Sequence, residues 1–417
     1  MDKNNGAIYD ARKLGKPKMI ILGVQHMFAM FGATILVPIL TGLEISTTLL
    51  MAGLGTLLFH CITKFKVPAF LGSSFAFLGG YAAIKAFSPN DPNSMLPYAC
   101  LGVACAGLIY FILAAVIKAV GIEKVMRFFP PVVTGPIIIA IGLGLAPSAV
   151  SNCTTNWFLA VVALAVIVVF NIWGKGMAKI IPIILGLLIS YGTGLVLYFI
   201  SQANPDLIQN VPWLFSGGAD ANGVYQPIFD FTSLNTICDN ISKGHIFGSE
   251  GLIGIPIHWD KTVFGGIDYS NGALIASSII AIVPIAFATM MEHIGDICAI
   301  SSTTGNNYIK DPGLHRTLVG DGLATTLASL FGGPANTTYG ENTGVLALTR
   351  VYDPRVIRIA AYFAVAVSFF PIVSVIIGSI PSCIIGGISF VLYGMISAIG
   401  VRNVVENKVD FTKSRNL

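Results

Sequence analysis

From Met19 to Gly42 the chain carries no Asp, Glu, Lys or Arg, and stretches of the same kind recur along its whole length. Segments of that length and composition suit the roughly 30 Å hydrocarbon layer of a bilayer. Composition points the same way. Only 11% of the 417 residues are charged, against about 25% in an average soluble protein. With a mean hydropathy of +0.79, that excludes a soluble globular enzyme and a disordered chain. A net charge of +4 implies no nucleic-acid role. The seven cysteines show no metal-ligand or redox spacing, so neither a metal nor a cofactor is expected. The reading is an all-α polytopic membrane protein.

Twelve stretches are long enough to be candidate spans: Met19–Gly42, Ile45–Thr63, Val67–Phe87, Pro97–Val120, Phe128–Ala146, Trp157–Trp173, Met177–Ile200, Ala273–Ile300, Thr317–Phe331, Asn336–Leu348, Val356–Ile380 and Pro381–Val401. No cleavable leader is visible, because the apolar run after Lys18 is too long for a signal core. Basic residues in short loops stay on the cytoplasmic side. With the N-terminus inside, all of the 24 Lys and Arg except Lys85, Lys243 and Lys261 fall in cytoplasmic segments. One missed or invented helix would invert every later loop, so this asymmetry supports the span count as well as the orientation. Residues 201–272 are then an extracytoplasmic loop.

That loop divides the chain after seven spans, and odd-numbered halves must have opposite topologies. Span three carries Pro68-Ala69-Phe70-Leu71-Gly72-Ser73-Ser74-Phe75, and span ten carries Pro334-Ala335-Asn336-Thr337-Thr338-Tyr339-Gly340-Glu341. Both place proline and small hydroxyl residues where a plain helix would have leucines. Span five opens Pro130-Pro131 and span twelve Pro381-Ser382, with a glycine at the same distance after the first proline. Paired interrupted segments at matching positions point to a transporter's binding site, because unwound backbone at membrane depth is tolerated only where it is buried in protein or lines a cavity. Spans three and ten are expected to face each other around a substrate.

Four acids lie in or beside apolar spans: Glu292 and Asp296 in span eight, Asp321 in span nine and Glu341 in span ten. A charge at the bilayer centre costs at least ~2.5–3.5 kcal/mol on insertion scales, so such residues default to function. Glu292 and Asp296 share a helix face, and a carboxylate in that setting suits proton coupling. Asp321 reads more readily as a helix-terminal or interhelical hydrogen-bond partner, and His26 as a hydrogen-bonding support. His293 points about 100° round the helix from Glu292 and is a poor partner for it. Glu292 and Glu341 are the strongest substrate-site candidates.

At these residues the chain resembles the nucleobase/ascorbate transporter family, in its bacterial uracil permease branch. The resemblance rests on Glu341-Asn342-Thr343-Gly344 with Thr349-Arg350, on Glu292-His293, Gln25-His26, Leu71-Gly72-Ser73-Ser74-Phe75 and Asp311-Pro312-Gly313-Leu314-His315-Arg316, over Pro17 to Leu417. It implies fourteen spans in a seven-plus-seven inverted repeat, the last two absent from this sequence, with short antiparallel β-strands in spans three and ten. Around a cytoplasmic N-terminus (1–18) and the loop 201–272, it implies a core domain of residues 19–120 and 273–380. The gate domain would hold residues 125–200 and 381–417. It also implies proton symport, a homodimer and a cytoplasmic (inner) membrane location. Carried over, Glu292 and Glu341 would accept hydrogen bonds from pyrimidine N–H groups, and the backbone amides of Phe75 and Gly340 would serve the carbonyl oxygens. Ala33 and Tyr339 would pack nearby. Glu292, Asp296 and Glu341 would share proton coupling, although some uracil carriers have His at the Asp296 position, and Gln25, His26, Ser73, Ser74 and Asn342 would support the site.

The function expected is proton-coupled import of uracil by alternating access. Alternatives are a purine (xanthine or urate) carrier of the same family, in which Gln is usual at the Glu341 position, and an anion transporter sharing the fold. The anion reading lacks a basic residue placed centrally in any span. An intramembrane enzyme is disfavoured because no H-E-x-x-H or G-x-S-x-G pattern is present.

Overall fold

The computed structural model describes residues 7–121, 124, 131–406 and 408–413. Six residues of the expected N-terminus, the expected start of span five at Phe128 and the last four residues of the tail lie outside them. Helices α1 (Lys16–Thr41) and α2 (Ile45–Ile62) lead to strand β1 (Leu71–Ser73), then α3 (Leu78–Lys85) and α4 (Leu96–Val120). Next come α5 (Pro131–Cys153), α6 (Trp157–Trp173) and α7 (Pro182–Ala203), followed by the hairpin β2 (Ser216–Ala219) and β3 (Tyr225–Pro227) and helix α8 (Thr232–Ser242). The later half comprises α9 (Gly272–Ile282), α10 (Ile285–Thr304), α11 (Leu314–Leu330), β4 (Asn336–Thr338), α12 (Gly340–Thr349), α13 (Pro354–Ser368), α14 (Pro371–Gly378) and α15 (Ser382–Glu406).

The expected spans are not all simple helices. Among the described residues seven helices are long and apolar enough to cross a membrane. These are α1, α2, α4, α5, α7, the run α9–α10 and α15. Residues Gly272–Thr304 count there as one span of 33 residues, about 50 Å at 1.5 Å per residue, with Pro284 just before α10. Spans six and nine are helices of 17 residues. Spans three and ten are each half strand and half helix. The expected single crossing Val356–Ile380 is instead two helices, α13 and α14, bent by 87°. Pro371 explains the break: it has no N–H to continue the ladder and it disfavours α geometry at Phe370.

The chain divides into two compact units, each assembled from both ends of the sequence. Unit 1 comprises Met1–Pro130 and Ile253–Ser374. Within it α4 packs along α11, α2 lies between α11 and α13, and α1 packs on α13. Small residues allow the closest of these approaches, as expected where lipid and side chains are equally apolar. A Cβ on Gly107 of α4 would lie 2.8 Å from the Gly322 carbonyl, and one on Gly322 of α11 would lie 2.6 Å from the Gly107 carbonyl. The core around this crossing holds Met30, Phe59, Phe70, Phe77, Tyr81 and Tyr110.

Unit 2 comprises Pro131–Leu252 and Val375–Leu417. Its α15 lies along α5 and also against α6, which packs on α7. The polar segment after α7 is fixed to that helix by aromatic rings: Phe229 and Phe231 stack at 5.2 Å, and Tyr191 and Tyr198 meet Phe229 edge-on.

Candidate substrate site

The paired interruptions of spans three and ten meet in unit 1 as an antiparallel ladder. Leu71 pairs with Thr338, Gly72 with Thr337 and Ser73 with Asn336. The Tyr339 N–H donates to the Phe70 carbonyl at 3.0 Å, and the Ser74 N–H to the Ala335 carbonyl at 2.8 Å. Extended backbone in a helical interior needs further partners, and flanking helices supply them. Thr56 of α2 accepts from the Leu71 N–H, Thr325 of α11 donates to the Asn336 carbonyl, and the Asn336 amide donates to the Met51 carbonyl. The hydroxyl and amide side chains that look out of place in an apolar sequence therefore satisfy the unwound backbone.

A helix begins after each strand, and neither α3 nor α12 has a side-chain N-cap. The first-turn N–H groups of a helix have no partner within it, so such starts can serve acceptor atoms of a ligand. At the start of α12, Gly340 is exposed and a Cβ there would meet nothing within 4 Å. Glu341 follows in the first turn, half-buried. Glu292 and Asp296, also half-buried, are carried on α10, which packs against α12. Phe75, between β1 and α3, is half-buried against the unit 1 core, and Ala33 of α1 is fully buried there.

The supporting residues fall into two groups. Tyr339 accepts from Thr34 at 3.2 Å and donates to the Ser73 carbonyl at 3.0 Å, while the Ser73 hydroxyl donates to the Thr34 carbonyl. Asn342 uses its amide nitrogen on His26, 3.1 Å from both Nδ1 and the carbonyl oxygen. Thus α1 is tied to β1 by one group and to α12 by the other. Among the described residues Gln25 Oε1, Ser74 Oγ and Asn342 Oδ1 are buried with no hydrogen-bond partner. Among the described residues no three His, Cys, Asp or Glu side chains converge as a metal site.

Sequence reasoning did not single out Thr34 or Thr338. Thr338 donates to Asp296 Oδ2 at 2.8 Å, and a strand-to-helix contact of this kind leaves no local sequence signal. His293, a poor partner for Glu292 by helix geometry, lies instead 3.4 Å from Asp321. Among the described residues the Asp321 carboxylate oxygens have no hydrogen-bond partner, so the interhelical hydrogen bond expected of Asp321 is not formed here.

A sequence model of the family described as "Permease family" matches residues 17–417. The uracil permease of Bacillus caldolyticus is 38% identical over 409 residues, covering 95% of this chain and 82% of the relative. The chain belongs to this permease family. The "putative pyrimidine permease RutG" of Escherichia coli (strain K12) is 35% identical over 416 residues, covering 99% and 83%. This permease is therefore a multi-pass membrane transporter and not an enzyme. Among solved structures, the transmembrane domain of the cyanobacterial bicarbonate transporter BicA aligns with a TM-score of 0.61 at 13% identity, over 97% of this chain and 98% of that one. The fold is thus shared with that domain at an identity too low to carry substrate preference.

Proposed function

We propose that this permease imports uracil by proton symport. The observation that carries the reading is the packing of α10, which carries Glu292, against α12, whose uncapped start carries Glu341, beside the β1–β4 ladder. Uracil is planar and neutral, with two N–H donors and two carbonyl acceptors. The two carboxylates supply acceptors for the N–H edge, and the backbone amides of Phe75 and Gly340 supply donors for the carbonyls. Relatives named as uracil permeases support this substrate over the others considered. An uncharged solute feels no membrane potential, so accumulation needs a coupled ion. Glu292, Asp296 and Glu341 are the acids available in the site to carry a proton.

In this reading unit 1 is the core domain that holds substrate, unit 2 is the gate, and the two alternate in exposing the site. The protein works as a homodimer in the bacterial cytoplasmic membrane with its N-terminus inside, on the seven-plus-seven inverted-repeat plan. The acids around the site argue against an anion as substrate, although the fold is shared with a bicarbonate transporter. A purine carrier is the competing reading within the family.

The test is [3H]uracil uptake into proteoliposomes with an inward proton gradient, with xanthine, urate and thymine as competitors. Glu341→Ala removes a hydrogen bond to a charged acceptor, a change of about 1.5–3 kcal/mol, or roughly 10- to 150-fold in affinity. Uptake that survived this substitution unchanged would remove Glu341 from the site. Stronger competition by xanthine than by unlabelled uracil would favour the purine reading.

A further inference from the structure

Behind the site, a line of polar side chains runs from Asp296 into the interior of unit 1. The Thr338 hydroxyl is 2.8 Å from Asp296 Oδ2 and 3.4 Å from His293 Nδ1. The same His293 nitrogen is 3.4 Å from Asp321 Oδ2, and the His293 and Asp321 side chains are both fully buried. The ring of His293 is held edge-on against Phe59, with centroids 6.2 Å apart and planes at 75°.

With Asp296 in its ionised form, hydrogen counting fixes the direction of the Thr338 contacts. A threonine hydroxyl has one hydrogen, and Thr338 gives it to Asp296. Toward His293 it offers only a lone pair, so Nδ1 must carry a hydrogen. Among the described residues His293 Nε2 is buried with no hydrogen-bond partner, and an N–H aimed at such surroundings would be an unpaired buried donor. The ring is therefore neutral, with its hydrogen on Nδ1.

We propose that His293 and Thr338 are positioning residues for the substrate site: His293 donates from Nδ1 to Thr338, and the Thr338 hydroxyl is thereby committed to Asp296. The proposal rests on the reading that places Asp296 beside the substrate. Without the His293 donor, the Thr338 hydroxyl is free to turn toward other acceptors, and Asp296 loses the bond that sets its rotamer one helical turn from Glu292.

The test uses the whole chain in proteoliposomes and depends on which atom donates. Asn at position 293 places an amide nitrogen near the position of Nδ1, whereas Gln places one near Nε2. His293→Asn and Thr338→Ser should keep [3H]uracil uptake within about threefold of wild type. His293→Gln and Thr338→Val should each lower it by roughly tenfold or more, the scale of one lost hydrogen bond to a charged group. The His293→Gln, Thr338→Val double variant should be little worse than either single one, because both remove the same path. Equal activities for His293→Asn and His293→Gln would overturn the proposal. A second readout needs no substrate. In wild-type protein with 15N-labelled histidine, the His293 resonances, identified by their loss in His293→Asn, should show hydrogen on Nδ1. Hydrogen on Nε2 would overturn the proposal even if uracil is transported. If the wild-type chain moves no uracil, the functional reading fails, and the tautomer still decides the hydrogen-bond path.

Discussion

Two glycines at the site make opposite demands at the residue scale. A Cβ on Gly72 would lie 2.5 Å from the Tyr339 ring and 2.8 Å from Thr34 Oγ1. Gly72→Ala is therefore expected to displace Tyr339 from its bonds to Thr34 and Ser73, lowering the melting temperature as well as uracil affinity. Overpacking of this kind typically costs about 1–3 kcal/mol. Gly340 has open space around it, so Gly340→Ala should leave the melting temperature unchanged and weaken uracil binding by placing a methyl group where substrate is proposed to sit. Thermal-shift and binding titrations on the two variants check both statements. A Gly340→Ala protein with wild-type affinity would move the substrate away from the start of α12. Glu292, Glu341 and the Tyr339 region were legible in the sequence, because acids and hydroxyls in an apolar run need a reason to be there. Thr34 was not, since it looks like any small residue in α1 until Tyr339 reaches it from the far end of the chain.

At the scale of elements, the described residues before α1 form a strap within unit 1. Ile8 bridges to the segment after α12, with its N–H on the Arg350 carbonyl and its carbonyl accepting from Tyr352. Tyr9 donates to the Thr304 carbonyl at the end of α10, and the Ala11 N–H donates to Asp353, which also caps α13 through the Arg355 N–H. Losing such a cap and its second acceptor role costs about 1–2 kcal/mol. Asp353→Ala should thus speed amide exchange at Ile8 and Tyr352 by roughly 5- to 30-fold, read by hydrogen–deuterium exchange. Asp10 adds a pH dependence. Hydrogen bonds from the Arg12 side chain, with Arg355 nearby, hold its carboxyl well below the usual carboxylate range. A depressed folded-state pKa gives a contribution that is complete above the unfolded value of about 4 and is lost only as pH falls below it. Exchange at these amides, corrected for its intrinsic pH dependence, should therefore show no loosening of the strap between pH 7 and pH 5. Loosening within that window would mean that Asp10 is not held by its arginines. The bend between α13 and α14 belongs to this scale too. Pro371 was visible in the sequence, but a proline in an apolar run fits a mild kink as well as an 87° turn, and only packing chooses between them.

For the whole molecule, the units are built from non-consecutive parts of the chain. The tight crossing of α4 on α11 and the β1–β4 ladder both join residues from opposite sides of the polar segment 201–272. Neither side alone can form unit 1. A chain divided after Asn222, in the exposed turn between β2 and β3, is expected to yield two fragments that aggregate or are degraded when expressed singly. Expressed together they should co-purify. A fragment that stayed monodisperse and protease-resistant alone would contradict this. The sequence by itself determined that the chain lives in a membrane, where its apolar segments lie, which of them are interrupted and which acids are out of place, because hydropathy and charge are local properties of consecutive residues. Only the tertiary structure decided the register in which β1 pairs with β4, that α13 turns sharply into α14, and that His293 meets Thr338 rather than Glu292. Apart from the α13–α14 turn, these are contacts between residues far apart in the chain, and all three are set by packing and, at the ladder, by the need to pair unwound backbone.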